Sequence, residues 1–89
     1  MITSIKKRDG RIVPFDQEKI EQAIEKSFMA SGSQKSQETA QELAGVVVQE
    51  IERDENLPAV PSVEQVQDVV ERVLIERGFV RSAKSYILY

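Results

Sequence analysis

Four stretches of this chain repeat apolar residues every three or four positions, and the first three are followed by residues that interrupt a helix. Ile20, Ala23, Ile24 and Phe28 share one face of a helix predicted over about residues 17–30, which Gly32 stops in the loop Ser31-Gly32-Ser33. Ala40, Leu43, Ala44, Val47 and Ile51 form the stripe of a second helix, about 37–53, widened by Val46 and Val48. Ser36 is its expected cap, and Pro58 and Pro61 keep the following loop out of helix. Val66, Val69, Val70, Val73 and Leu74 belong to a third helix that Gly78 ends. A fourth begins near Val80 or Arg81 and presents Ala83, Tyr86 and Ile87. In 89 residues this leaves room for one domain and no second core.

The start of the chain follows a different period. The runs Ile2–Arg8 and Arg11–Phe15 flank Asp9-Gly10, a dipeptide favoured in two-residue type I′ turns, so residues 2–15 read as a β-hairpin. Pro14 has no N–H for a ladder and belongs at a strand end or edge. Asp16 is the expected N-cap of the first helix, with Glu18 in its first turn. Ser62-Val63-Glu64-Gln65 matches a capping box for the third. Residues 59–61 are a candidate third strand. The expected class is α+β and mostly α: a four-helix bundle capped by an N-terminal β-hairpin or a small three-stranded sheet. The last helix runs to Tyr89 with no stop signal, which predicts a domain cut from a longer polypeptide, residues 1–89 being one unit.

Two absences narrow the chemistry. Without cysteine there is no disulfide, thiolate metal site or cysteine nucleophile, and without histidine the commonest general base and metal ligand are missing. No G-x-x-x-x-G-K-[ST] or G-x-G-x-x-G occurs, so a nucleotide would not be held by a P-loop or a Rossmann turn. No stretch reaches the roughly 18 apolar residues of a membrane span, and the N-terminus lacks the pattern of a signal peptide. A cytoplasmic protein that is not itself an enzyme is the expectation.

Charge is unevenly placed. Residues 1–11 hold Lys6, Lys7, Arg8 and Arg11 against Asp9, while the remainder carries eight basic and 14 acidic residues. A basic tip on an acidic body suits a small anion better than a long nucleic acid. Lys7, Arg8 and Arg11 with Lys19 could gather on a triphosphate; equally, they could be solvated charges that protect a hairpin edge. Lys7 and Arg8 are adjacent on a strand, so both reach one ligand only where the turn redirects one of them. Gln65, Gln67 and Asp68 could read a purine edge, or could simply close a cap and face solvent. Tyr86 and Tyr89 could stack on a base, although packing of the fourth helix is the simpler use. The valine runs 46–48 and 69–70 read as core.

Taken in order, three segments resemble the ATP-cone family: Ile5-Lys6-Lys7-Arg8-Asp9-Gly10-Arg11-Ile12-Val13-Pro14-Phe15-Asp16 with Lys19-Ile20 and Ala23-Ile24, then Val63-Glu64-Gln65-Val66-Gln67-Asp68-Val69-Val70-Glu71, then Ala83-Lys84-Ser85-Tyr86-Ile87-Leu88-Tyr89. The resemblance implies a four-helix bundle under a small sheet that binds ATP or dATP as an allosteric ligand, with Mg2+ a candidate companion. It implies that Ile5, Lys6, Lys7 and Arg8 line the pocket, that Lys7, Arg8 and Lys19 approach the phosphates, and that Asp16 holds the ribose. Ile20 falls in the same motif, and the segment from Val63 to Gln67 is placed near the base. Such modules occur mainly at the N-terminus of ribonucleotide reductase catalytic subunits, where they set overall activity, and also in a bacterial transcriptional repressor behind a cysteine-containing zinc ribbon. Met1 directly before the motif and the lack of cysteine favour the reductase setting.

The partners so implied are an adenine nucleotide and the remainder of a reductase catalytic subunit, with self-association a candidate and neither nucleic acid nor membrane expected. The rival readings are a helical protein-interaction module that binds no nucleotide and a DNA-binding domain. The third helix speaks against the latter, with Glu64, Asp68, Glu71 and Glu76 against Arg72 and Arg77.

Overall fold

A computed structural model describes residues 2–32 and 37–88. Two short strands, β1 (Ser4–Lys6) and β2 (Ile12–Pro14), precede four helices: α1 (Gln17–Ala30), α2 (Gln37–Arg53), α3 (Val63–Glu76) and α4 (Val80–Leu88). The expected cap at Ser36, the base-stacking candidate Tyr89 and the side chain of Ile87 lie outside the described residues.

The helices begin and end for local reasons. The Asp16 carboxylate accepts the Glu18 N–H at 3.1 Å, capping α1. At α3 the box closes on both sides: Ser62 Oγ accepts the Gln65 N–H at 3.1 Å, and Gln65 Oε1 accepts the Ser62 N–H at 2.9 Å. Beyond α3, Gly78 adopts φ +88°, and the amides of Gly78 and Phe79 donate to the carbonyls of Ile75 and Leu74 at 3.1 and 2.8 Å. That Schellman arrangement turns the chain and carries Phe79 onto Phe28, with ring centroids 5.3 Å apart.

Substantial contacts run α1–α2, α2–α3, α3–α4 and α4–α1, closing a ring around one core. Ile20, Ile24 and Phe28 from α1 meet the α2 stripe, the five α3 residues named from periodicity, and Ala83. Ser27 and Ser82 are also buried there. Ser27 Oγ donates to the Ile24 carbonyl at 2.6 Å, and the hydroxyls of Ser31 and Ser82 pair at 3.1 Å, so neither buried hydroxyl lacks a partner.

The hairpin pairs Ile5 with Val13 and Lys6 with Ile12. Its turn differs from the expected type I′. Such a turn needs φ > 0 at both Asp9 and Gly10, yet only Gly10 has it, at +90°. Instead the Gly10 N–H donates to the Lys7 carbonyl at 3.0 Å, and the Lys7 N–H to the Arg11 carbonyl at 2.7 Å. The loop is thus three residues, Arg8-Asp9-Gly10, a type I turn with Gly10 in the left-handed position of a bulge. Asp9 drives this choice by accepting the Arg11 N–H at 3.0 Å and the Arg11 Nε at 2.6 Å.

The candidate third strand is reduced to one parallel bridge between Lys6 and Ser62. The Lys6 N–H donates to the Pro61 carbonyl at 2.9 Å. Pro58 and Pro61 have no N–H to return, so pairing stops after one contact. This contact still matters, because it fastens β1 to the start of α3.

Candidate functional site

The hairpin alternates sides. Ile5 is half-buried against the core and Lys6 is exposed, while Lys7 comes round beside Ile5. Under the inward face of the hairpin lies a recess of ≈ 170 Å³. Ile5, Val13 and Phe15 form its roof and rim, Ile20 and Ala23 of α1 and Val63 and Val66 of α3 its walls, and Tyr86 of α4 closes it. Its polar groups are few: Lys7, Asp16, Lys19 and Gln67. Burial raises the Tyr86 pKa above its ordinary 10.0, so this phenol stays neutral and keeps its O–H donor.

Next to it, between the hairpin tip and the first turns of α3, is a second cleft of ≈ 380 Å³, lined by Lys7, Arg8, Asp9, Arg11, Val63 and Gln67. Lys7, Val63 and Gln67 border both spaces, so the two are contiguous. One is apolar with a few polar groups; the other gathers three cations. Arg11 is committed to Asp9, and Arg8 Nε pairs with Glu64 Oε1 at 2.9 Å. Lys7 and Lys19 have no side-chain partner among the described residues. Other recesses suit an anion less: one beside α2 includes Glu52 and Asp54, and one between the ends of α1 and α3 has Arg81 as its single cation.

Of the residues singled out from sequence, Ile5, Lys7, Asp16, Lys19, Ile20, Val63 and Gln67 border the apolar recess, and Arg8 borders the charged cleft. Arg8 gets there because the three-residue loop bends the chain after Lys7; both cations therefore face one space despite being neighbours. Lys6 borders neither, since it lies on the outer face of β1 and contributes its backbone N–H to Pro61. Gln65 is spent on the α3 cap, and Asp68 is exposed away from both spaces. Phe15 was not assigned to the site from sequence, whereas Tyr86 was a candidate for stacking on a base, with packing of the fourth helix the simpler use. Phe15 had a signal, an apolar residue directly before a helix cap. Tyr86 is brought to the recess by the closing of α4 onto α1 and α3.

Three carboxylates that could share a metal do not come together anywhere among the described residues. In the charged cleft Asp9 already serves Arg11, so the residues present do not make a Mg2+ site.

A mostly α module with an N-terminal hairpin over an apolar recess and a basic cleft is the class this geometry defines. The model of the ATP cone domain matches residues 3–89, and the chain belongs to that family. It is similar to a vitamin B12-dependent ribonucleoside-diphosphate reductase of Thermoplasma acidophilum, 44% identical over 96 aligned positions. It is also similar to the ribonucleoside-diphosphate reductase subunit alpha of Chlamydia pneumoniae, 33% identical, and of Chlamydia muridarum, 36% identical. These alignments cover 97–100% of this chain but only 12% of the first relative and 9% of the other two. The chain thus corresponds to about a tenth of their length.

Proposed function

We propose that this chain is a nucleotide-binding regulatory module that takes ATP or dATP and belongs to a ribonucleotide reductase catalytic subunit, of which residues 1–89 are one domain. The observation that carries this is the apolar recess opening through Lys7 and Gln67 onto a cleft with Arg8 and Arg11. A flat base wants the first space and a polyphosphate the second. In this pose the adenine lies among Ile5, Ile20 and Val63, with Gln67 able to donate to and accept from its edge. The free oxygen of Asp16 receives a ribose hydroxyl, and Lys7, Lys19 and Arg8 meet the phosphates. Any Mg2+ travels on the phosphates themselves.

The module acts by binding and not by chemistry. Its recess holds one carboxylate, Asp16, which caps α1, and no nucleophile is paired with it. Bound nucleotide would tie the hairpin to the bundle and favour one arrangement of the attached catalytic subunit, by self-association or by contact within the chain. ATP and dATP differ by one hydroxyl, so opposite outputs would require different poses or stoichiometries. No described helix is long and apolar enough to cross a membrane; the reading places the parent enzyme in the cytoplasm, with its nucleotide pools.

Calorimetric titration of the 89-residue chain with ATP and dATP tests the reading. Micromolar affinity, about −8 kcal/mol, is expected. No heat of binding from either at millimolar concentration would contradict it.

A further inference from the structure

Glu64 occupies an unexpected place beside this pocket. It is the second residue of α3, where a carboxylate is favoured by the helix dipole without reaching anywhere. Yet it reaches the hairpin tip and pairs with Arg8, Nε to Oε1 at 2.9 Å. Both side chains are largely exposed, 72% and 54%, so the pair is screened and adds little to folding. What it does affect is Arg8. Arg11 is already held by Asp9 within its own loop. Arg8 is therefore the guanidinium of the charged cleft whose partner comes from across the cleft, and that partner is an acid.

The consequence follows from reach. Lys7 borders both spaces and Lys19 borders the apolar one, whereas Arg8 borders only the outer cleft. A ligand seated in the apolar recess meets the lysines first, and only a longer chain of phosphates extends to Arg8. A phosphate oxygen arriving there competes with Glu64 Oε1 for the Arg8 Nε–H and meets the repulsion of that carboxylate. Resting on the nucleotide reading above, we propose that Glu64 is a specificity-determining residue: it competes with the terminal phosphates for Arg8, so it lowers affinity for long phosphate chains and leaves short ones untouched. Displacing Glu64 also exchanges a hairpin–α3 tie made by protein for one made through ligand.

The test is calorimetry of the 89-residue chain with AMP, ADP and ATP, at low and high salt. Wild type is compared with Arg8→Ala, with Glu64→Gln, with Glu64→Asp, which keeps the charge on a shorter arm, and with Arg8→Ala/Glu64→Gln. Glu64→Gln should tighten ATP about three- to tenfold, ADP by less and AMP by under about twofold, with the gain shrinking at high salt. Glu64→Asp should fall between wild type and Glu64→Gln. In the Arg8→Ala background the Gln substitution should change ATP affinity by under about twofold. Melting curves verify that each variant is folded. If wild type binds ATP and Glu64→Gln binds it no better, or improves AMP as much as ATP, the competition is overturned while the nucleotide reading stands. If neither protein binds any of the three, the nucleotide reading fails, and the competition with it.

Discussion

Two adjacent cations, Lys6 and Lys7, stand on opposite faces of one three-residue strand and its exit, and the difference decides which can touch a ligand. Lys7 borders both recesses and Lys6 neither. Arg8, one residue further, is brought back by the turn that Asp9 and Gly10 impose. Replacing Arg8 by Ala should cost about 1.5–3 kcal/mol of ATP affinity, since the charge-assisted phosphate contact proposed for it would be lost. Its melting temperature should change by no more than about 2–4 °C, because exposed side chains away from special features change stability by about 0.5 kcal/mol or less. Lys6→Ala should alter ATP affinity by under about twofold. The pair of titrations, read beside melting curves, checks this. A sharp fall in melting temperature for Arg8→Ala with unchanged affinity would make Arg8 structural, and a large loss of affinity at Lys6 would mean the hairpin turns over on binding.

Among the elements, α4 reaches the recess only through its packing on α1 and α3. It supplies Tyr86 to the recess, and burial holds that phenol's pKa above its ordinary value. A raised pKa in the folded state means the folded protein keeps its proton after the unfolded chain has begun to lose it. The stabilising contribution is then complete below the unfolded value near 10 and is lost as pH rises through the folded one. Melting temperature measured from about pH 8 to 11 should fall less steeply for Tyr86→Phe than for wild type. Superimposable curves would show that the phenol is not desolvated. The elements also show how far the amino-acid order could be read. Helix limits were legible because Asp16, Ser62, Gly32 and Gly78 signal through their own backbone neighbours. The turn type was not, because Asp-Gly serves both two- and three-residue hairpins, and the Asp9–Arg11 contacts decide between them. Nor was the single bridge at Ser62, which depends on where Pro61 lands in space.

At the scale of the whole molecule, the pocket draws on the hairpin, α1, α3 and α4 together. Seven of the nine residues proposed from sequence meet at the apolar recess because motif order along the chain mirrors that assembly. Of the other two, Arg8 borders the adjoining charged cleft and Lys6 borders neither space, since the face a strand residue presents is a property of packing. A ligand held by four elements stabilises all of them. At about 100 times its dissociation constant it adds roughly 2.7 kcal/mol, which should raise the melting temperature by roughly 10–20 °C. Differential scanning calorimetry with ATP checks this, and added salt should reduce the shift because the phosphate contacts proposed for Lys7, Arg8 and Lys19 are between opposite charges. A shift of only a degree or two at about 100 times the measured dissociation constant would mean that the ligand does not discriminate the folded from the unfolded chain. Hydrogen exchange in the presence of ATP tests the central claim most directly, because it asks where the nucleotide sits. Amides across both Ile5–Ile12 and Val63–Asp68 should slow together. Protection of only one segment, or of neither at millimolar ATP, would contradict a nucleotide bound between the hairpin and α3.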